Sequence, residues 1–134
     1  MGAFLLTKLP LTPILSKTAS SSPLTRGNVR VVWPASILVD TTSPKSGIRM
    51  DYLENPAMTK NIDYIELYTM SRTATWFLAS EFARREGTNS GVLHIAGNPG
   101  TYITSMWQYT PTLLYWLVRP LLRSPVPHGA DTYL

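Results

Sequence analysis

The 134-residue chain has no cysteine, which removes disulfides, thiol nucleophiles and thiolate metal sites together. Its two histidines, His94 and His128, stand far apart with no ligand cluster around either, so no metal site is expected. Charge is sparse at 15%. The net +4 comes from 12 Lys and Arg against 8 Asp and Glu, dispersed along the chain rather than gathered into a basic stripe with aromatics, so no nucleic-acid partner is expected. The eight glycines, Gly2, Gly27, Gly47, Gly87, Gly91, Gly97, Gly100 and Gly129, are scattered. None forms the Gly-rich turn through which backbone amides approach a pyrophosphate. Long apolar runs are absent as well. The first one is broken by Lys8, Pro10 and Pro13 and lacks a preceding basic region, which is a poor secretory pattern. Leu6 stands where N-myristoylation wants Ser or Thr. Residues 113–118 are bounded by Pro111 and by Arg119-Pro120, far short of the roughly 20 residues that span a bilayer. A cytoplasmic chain without a transmembrane segment is the expectation.

What remains is the composition of an ordinary globular chain, 44% hydrophobic, with length for one domain. Residues 29–33 form a continuous β-branched and aromatic run, as in a parallel strand buried on both faces. Residues 91–96 read as a second short strand and 97–100 as a turn. The clearest helix covers residues 62–85, stopped by Gly87 and Asn89. A helix over residues 3–16 is disturbed by Pro10 and Pro13. Residues 16–27 read as a loop, and residues 37–61 as irregular, broken by Pro44, Gly47 and Pro56. Residues 105–122 read as a Pro-broken helical region whose Trp107, Tyr109, Tyr115 and Trp116 suit an apolar ligand, a lid or a core equally. The pattern predicts an α/β chain with about two parallel strands, joined by a right-handed crossover, and three or four helices. A two-stranded sheet is marginal and leaves both edges unpaired.

The segment Tyr68-Thr-Met-Ser-Arg72 resembles the active-site helix of the short-chain dehydrogenase/reductase family, which carries Tyr-x-x-x-Lys; here Arg stands at the Lys position. Four further stretches are collinear with that family. Gly2-Ala-Phe-Leu-Leu-Thr-Lys8 is similar to the middle of the helix written Asn-x-x-Gly-x-Phe-x-x-Thr, and Asn28-Val-Arg-Val-Val-Trp-Pro-Ala-Ser36 to the strand that ends on the catalytic Ser. Asn98-Pro-Gly-Thr-Tyr-Ile-Thr104 is similar to the Asn-Pro-Gly-x-x-x-Thr loop, and Gly129-Ala-Asp-Thr132 to the start of the helix beyond it. The stretch from Ser71 to Arg84 looks most like retinol-dehydrogenase-like and fungal alcohol-dehydrogenase-like members.

The resemblance implies a partial Rossmann-type, doubly wound fold. It also implies a single truncated domain over residues 1–134, with the N-terminal dinucleotide-binding half and the catalytic Asn missing. It makes Tyr68 the general acid/base, Ser36 the group that polarises the substrate carbonyl, and Arg72 a degenerate form of the cation. Pro99, Gly100 and Thr104 become the cofactor contacts. The ancestral activity is NAD(P)-dependent oxidation or reduction of a lipophilic alcohol or ketone, in secondary metabolism, with the chain inactive as it stands and not binding NAD(P) alone. Arg is a wide planar fork where Lys is a compact point charge, so Arg72 weakens the expected chemistry further. Two alternatives stay open. One is an interaction protein that pairs with a full-length relative, or with itself, through the two helices that form the family's dimer interface. The other is an active reductase, its reading frame starting further upstream or its nucleotide fold supplied by a partner.

Overall fold

The computed structural model of the chain describes residues 2–128, with backbone alone at positions 53, 56, 59, 61, 106, 127 and 128. The stretch Gly129-Ala-Asp-Thr132 lies outside the described residues. Two compact units are formed, Met1–Gly97 and Asn98–Leu134.

The first unit is built on two strands, β1 (Arg30–Pro34) and β2 (Leu93–Gly97). They pair in parallel, with Arg30 opposite Leu93 and Pro34 opposite Gly97. The ladder continues one bond beyond each end: Leu93 N donates to Val29 O at 2.9 Å and Ala35 N to Gly97 O at 2.9 Å. The parallel α/β arrangement predicted from the apolar runs is present, with each strand shifted one or two residues C-terminally. Among the described residues the sheet has these two strands alone. Leu93 and Ile95 stay about two-fifths exposed, the uncovered aliphatic face expected of so small a sheet.

The long helix α5 (Tyr64–Phe82) crosses between the strands in sequence and packs on both. Its buried residues are Thr69, Met70 and Thr73 in the first half of the helix and Ala79 and Phe82 in the second, each group lying within about one turn, so that the buried face turns along the helix. The apolar positions do not define that face: Ile65, Trp76 and Phe77 are exposed, while Thr69 and Thr73 are buried. The helix also passes its expected stop. A π turn, Ala83–Gly87, carries it through Gly87 into α6 (Thr88–Ser90), and the chain reverses at Gly91, in the left-handed region at φ 69°. Gly91 N closes the end on Gly87 O at 3.1 Å.

The first helix corrects the sequence reading in the same way. α1 (Gly2–Leu6) runs through a π turn, Thr7–Leu11, into α2 (Thr12–Ser20), so neither proline ends it and residues 16–20 are helix rather than loop. Pro10 lacks an amide proton, and the wider turn replaces the missing bond. Thr12 N donates to Thr7 O, and Thr12 Oγ1 adds a second bond to that carbonyl at 2.8 Å. Residues 37–61, expected to be irregular, contain α3 (Leu38–Thr42), α4 (Met50–Glu54) and a 3₁₀ turn, Pro56–Asn61.

The core lies where these elements meet. Phe82 of α5 stacks on Trp33 of β1 at 5.4 Å and on His94 of β2 at 5.2 Å, and Phe4 of α1 tilts against it at 5.9 Å. Aromatic pairs at such separations add about 0.5–1.5 kcal/mol each beyond area burial. Lys8 and Glu86, one in each π turn, form an ion pair that joins the first helix to the end of the long one.

In the second unit, Ile103 N donates to Arg123 O and Arg123 N to Thr101 O, both at 3.0 Å. Between them lie a 3₁₀ turn, Ser105–Tyr109, then α7 (Thr112–Val118) and a further 3₁₀ turn, Arg119–Leu121. This matches the expected Pro-broken helical region.

Gly47 has φ of +77°, and a Cβ there would lie 2.7 Å from the Phe77 ring and 3.0 Å from the Thr73 methyl. Gly47→Ala therefore combines left-handed strain with overpacking. It is expected to lower stability by about 2 kcal/mol, read as a shifted urea midpoint with unchanged slope.

Candidate functional site

Ser36 follows directly on the last ladder bond of β1, at the C-terminal end of the parallel strands, the side on which open α/β sheets bind ligands. Its carbonyl accepts from Val39 N at 3.1 Å and its Oγ from Leu38 N at 3.3 Å. The side chain thus turns the chain from strand into α3. Ser36 Oγ keeps its own proton for a further acceptor.

Tyr68 sits half-buried in the first part of α5, and Arg72 stands one turn later on the same face. The guanidinium lies over the Tyr68 ring, 5.0 Å from its centroid. Its Nη1 reaches Pro34 O at 3.4 Å, a long bond, and its Nε is buried with no hydrogen-bond partner among the described residues. Arg72 thereby links the Tyr68 ring to the strand end two residues before Ser36. The structure brings together the elements of all three residues named from the first unit, while directing Arg72 toward backbone as much as toward the phenol.

Pro99, Gly100 and Thr104 belong to the second unit. Gly100 takes φ of +98°, and its N donates to Asn98 Oδ1 at 3.2 Å, so the Asn-Pro-Gly stretch is a tight turn closed by its own side chain. Thr104 has extended backbone before the 3₁₀ turn and makes no side-chain capping bond. With Ser105, Trp107, Gln108, Thr112 and Tyr115 it borders an open cavity of about 340 Å³. Tyr109 and Trp116, two of the four aromatics weighed as ligand contacts, are largely exposed.

Among the described residues no pyrophosphate cradle is formed. The positive-φ glycines, Gly27, Gly47, Gly91 and Gly100, lie in separate turns, and none opens a helix as a pyrophosphate cradle does. Among the described residues no three His, Cys, Asp or Glu side chains converge on a metal position, and no helix is long and apolar enough to cross a membrane.

Sequence reasoning missed four hydroxyls. Thr42 and Ser43, at the end of α3, bond to Thr69 at 3.0 Å and Thr73 at 2.6 Å on α5. Thr69 and Thr73 each follow a named site residue directly. The signal available in the sequence is their spacing of four, set against the run Thr41-Thr42-Ser43.

The chain matches no family model. No solved structure gives a significant match. Three curated proteins are similar along nearly the whole chain. A short-chain dehydrogenase/reductase of Phomopsis amygdali is 37% identical over 100% of the chain. The short-chain dehydrogenase/reductase iacJ of Pestalotiopsis fici is 31% identical over 92% of it, and sthC of Phaeosphaeria nodorum 33% over 97%. The chain spans 38%, 36% and 39% of the length of these relatives.

The His94 ring stacks on Phe82 and tilts against Trp33, and Trp33 Nε1 donates to its Nδ1 at 3.2 Å. Burial lowers the His94 pKa below 6.5, with Glu86 opposing weakly. The unfolded state then takes up the proton first, so the neutral imidazole contributes stability that is full above about pH 6.5 and is lost as pH falls toward the folded value. Urea stability should decline between pH 7.5 and 5.5. The decline should shrink in His94→Gln, which keeps an acceptor for Trp33. The fold and the collinear matches thus converge on proteins named short-chain dehydrogenase/reductase, to which this chain is similar over a segment of their length.

Proposed function

We propose that this chain carries the chemistry-bearing part of a short-chain dehydrogenase/reductase and is inactive without a nucleotide-binding part. The reading rests on one observation above the others: Arg72, one turn after Tyr68, lies over the Tyr68 ring and reaches the end of β1 two residues before Ser36, in a chain similar throughout to three proteins of that name. Tyr68 Oη would give or take the proton of a substrate oxygen, and Ser36 Oγ would hold that oxygen by a hydrogen bond. A nicotinamide cofactor, NADP in this reading, supplies the hydride in such chemistry. Pro99, Gly100 and Thr104 would meet it at the nicotinamide end, while the pyrophosphate cradle must come from elsewhere.

The substrate class is a lipophilic alcohol or ketone of secondary metabolism. The likeness of the Ser71–Arg84 stretch to retinol-dehydrogenase-like and fungal alcohol-dehydrogenase-like members supports this, as do the aromatics Trp107 and Tyr115 near Thr104. A second reading, pairing with a full-length relative or a second copy, is favoured by the apolar residues left exposed on two helices: Leu5, Leu6, Leu9 and Ile14 on the first, Ile65, Trp76 and Phe77 on α5.

The chain alone is expected to show no saturable NAD(P)H binding by calorimetry; micromolar binding, roughly 8 kcal/mol of specific contact, would contradict the missing cradle. Joined to the nucleotide-binding part of a relative, it should bind cofactor. Any turnover in that chimera should then fall about 100-fold or more in Tyr68→Phe, in keeping with the usual size of acid–base contributions. Equal turnover would remove Tyr68 from the chemistry.

A further inference from the structure

The hydroxyl contacts between α3 and α5 have a determinate direction. Thr42 Oγ1 donates its one proton to Leu38 O at 3.0 Å, so in the 3.0 Å contact with Thr69 it accepts and Thr69 donates. Thr73 Oγ1 donates to Thr69 O at 3.0 Å, so in the 2.6 Å contact Ser43 donates to Thr73. Two antiparallel relays result: Thr69 to Thr42 to the α3 backbone, and Ser43 to Thr73 to the α5 backbone. All four hydroxyl protons are used. Thr69 is 0% exposed and Thr73 3%, so either of these two hydroxyls left unpaired would carry a desolvation cost, while Thr42 and Ser43 stand nearer the surface. Gly47 closes the loop after Ser43 directly over Thr73 and Phe77.

The placement matters because of what stands next to each partner. Thr69 follows Tyr68 and Thr73 follows Arg72; Thr42 and Ser43 end the short element that Ser36 begins. The segment 34–43 is therefore tied to α5 at both ends, by Arg72 on Pro34 O and by the two relays on residues 42 and 43. We propose that Thr69 and Thr73 are positioning residues that set the register of the Ser36 segment against Tyr68. This rests on the reading that Ser36 and Tyr68 address one substrate oxygen, and deepens it: catalytic geometry tolerates displacements well under 1 Å, and a helix of five residues cannot hold such a register by its own cooperativity.

The absence of native cysteine allows a direct test. Asp40→Cys on α3 and Ser80→Cys on α5 carry nitroxide labels in the full chain, and pulsed electron spin resonance reads their distance distribution. Thr69→Val with Thr73→Val keeps shape and removes both hydroxyls. We expect the distribution to broaden at least twofold while the near-ultraviolet signal of the Trp33 core is retained. Thr69→Ser with Thr73→Ser should restore the narrow form. A role in stability alone would lower the unfolding midpoint and leave the distances as they were, and that result would overturn the proposal. Should the valine pair fail to fold, Thr42→Val with Ser43→Ala removes the same two bonds from the other side. An unchanged distribution there would equally overturn it. The distances do not depend on turnover, so a broadened distribution in the valine pair, beside a chimera whose turnover is unchanged by Tyr68→Phe, would refute the enzymatic reading and leave the positioning role of the two relays standing.

Discussion

The packing of Phe82 against Trp33 and His94 is the contact on which the first unit depends. One aromatic ring near the end of α5 touches both strands and the first helix. Removing a buried Phe typically costs about 3–5 kcal/mol, a large share of what holds a two-stranded sheet under a single long helix. With Phe82 packed on both strands, Arg72, further back along α5, reaches Pro34 O at the end of β1. The aromatic cluster fixes the far end of α5; the hydroxyls of Thr69 and Thr73 fix its near end.

Much of this was legible in the residues. The β-branched run before Trp33 and the apolar run around Ile95 marked both strands, and their lack of alternation marked them as parallel. Other features were hidden for physical reasons. Pro10 reads as a helix breaker, yet a π turn with a Thr12 hydroxyl absorbs it. Thr69 and Thr73 carry no apolar signal, yet they are buried, with Thr42 and Ser43 at the end of α3 as partners. The helices within residues 37–61 carry little apolar periodicity and follow from tertiary contact. Tyr68 and Ser36 stood out only through family resemblance, since a tyrosine on a helix and a serine after a strand are ordinary on local grounds. The Arg72 bond to Pro34 O could not be read from spacing at all.

That bond bears on what the cation can do. A lysine at this position would present a point charge on a flexible stem; the guanidinium instead spreads over the Tyr68 ring and reaches backbone. Its charge remains near the phenol, while its donors are directed toward the strand rather than gathered at one point. In the proposed reading, the residue that would tune the acid–base site is engaged in holding α5 to the end of β1.

The most direct test of this account is the turnover of the chain joined to a relative's nucleotide-binding part, with Arg72 and with Arg72→Lys, at saturating cofactor. The account predicts that both forms bind cofactor and that lysine raises kcat about tenfold or more, equivalent to roughly 1.4 kcal/mol of transition-state stabilisation. Equal kcat in the two forms would contradict it, showing that the guanidinium serves the chemistry from where it lies.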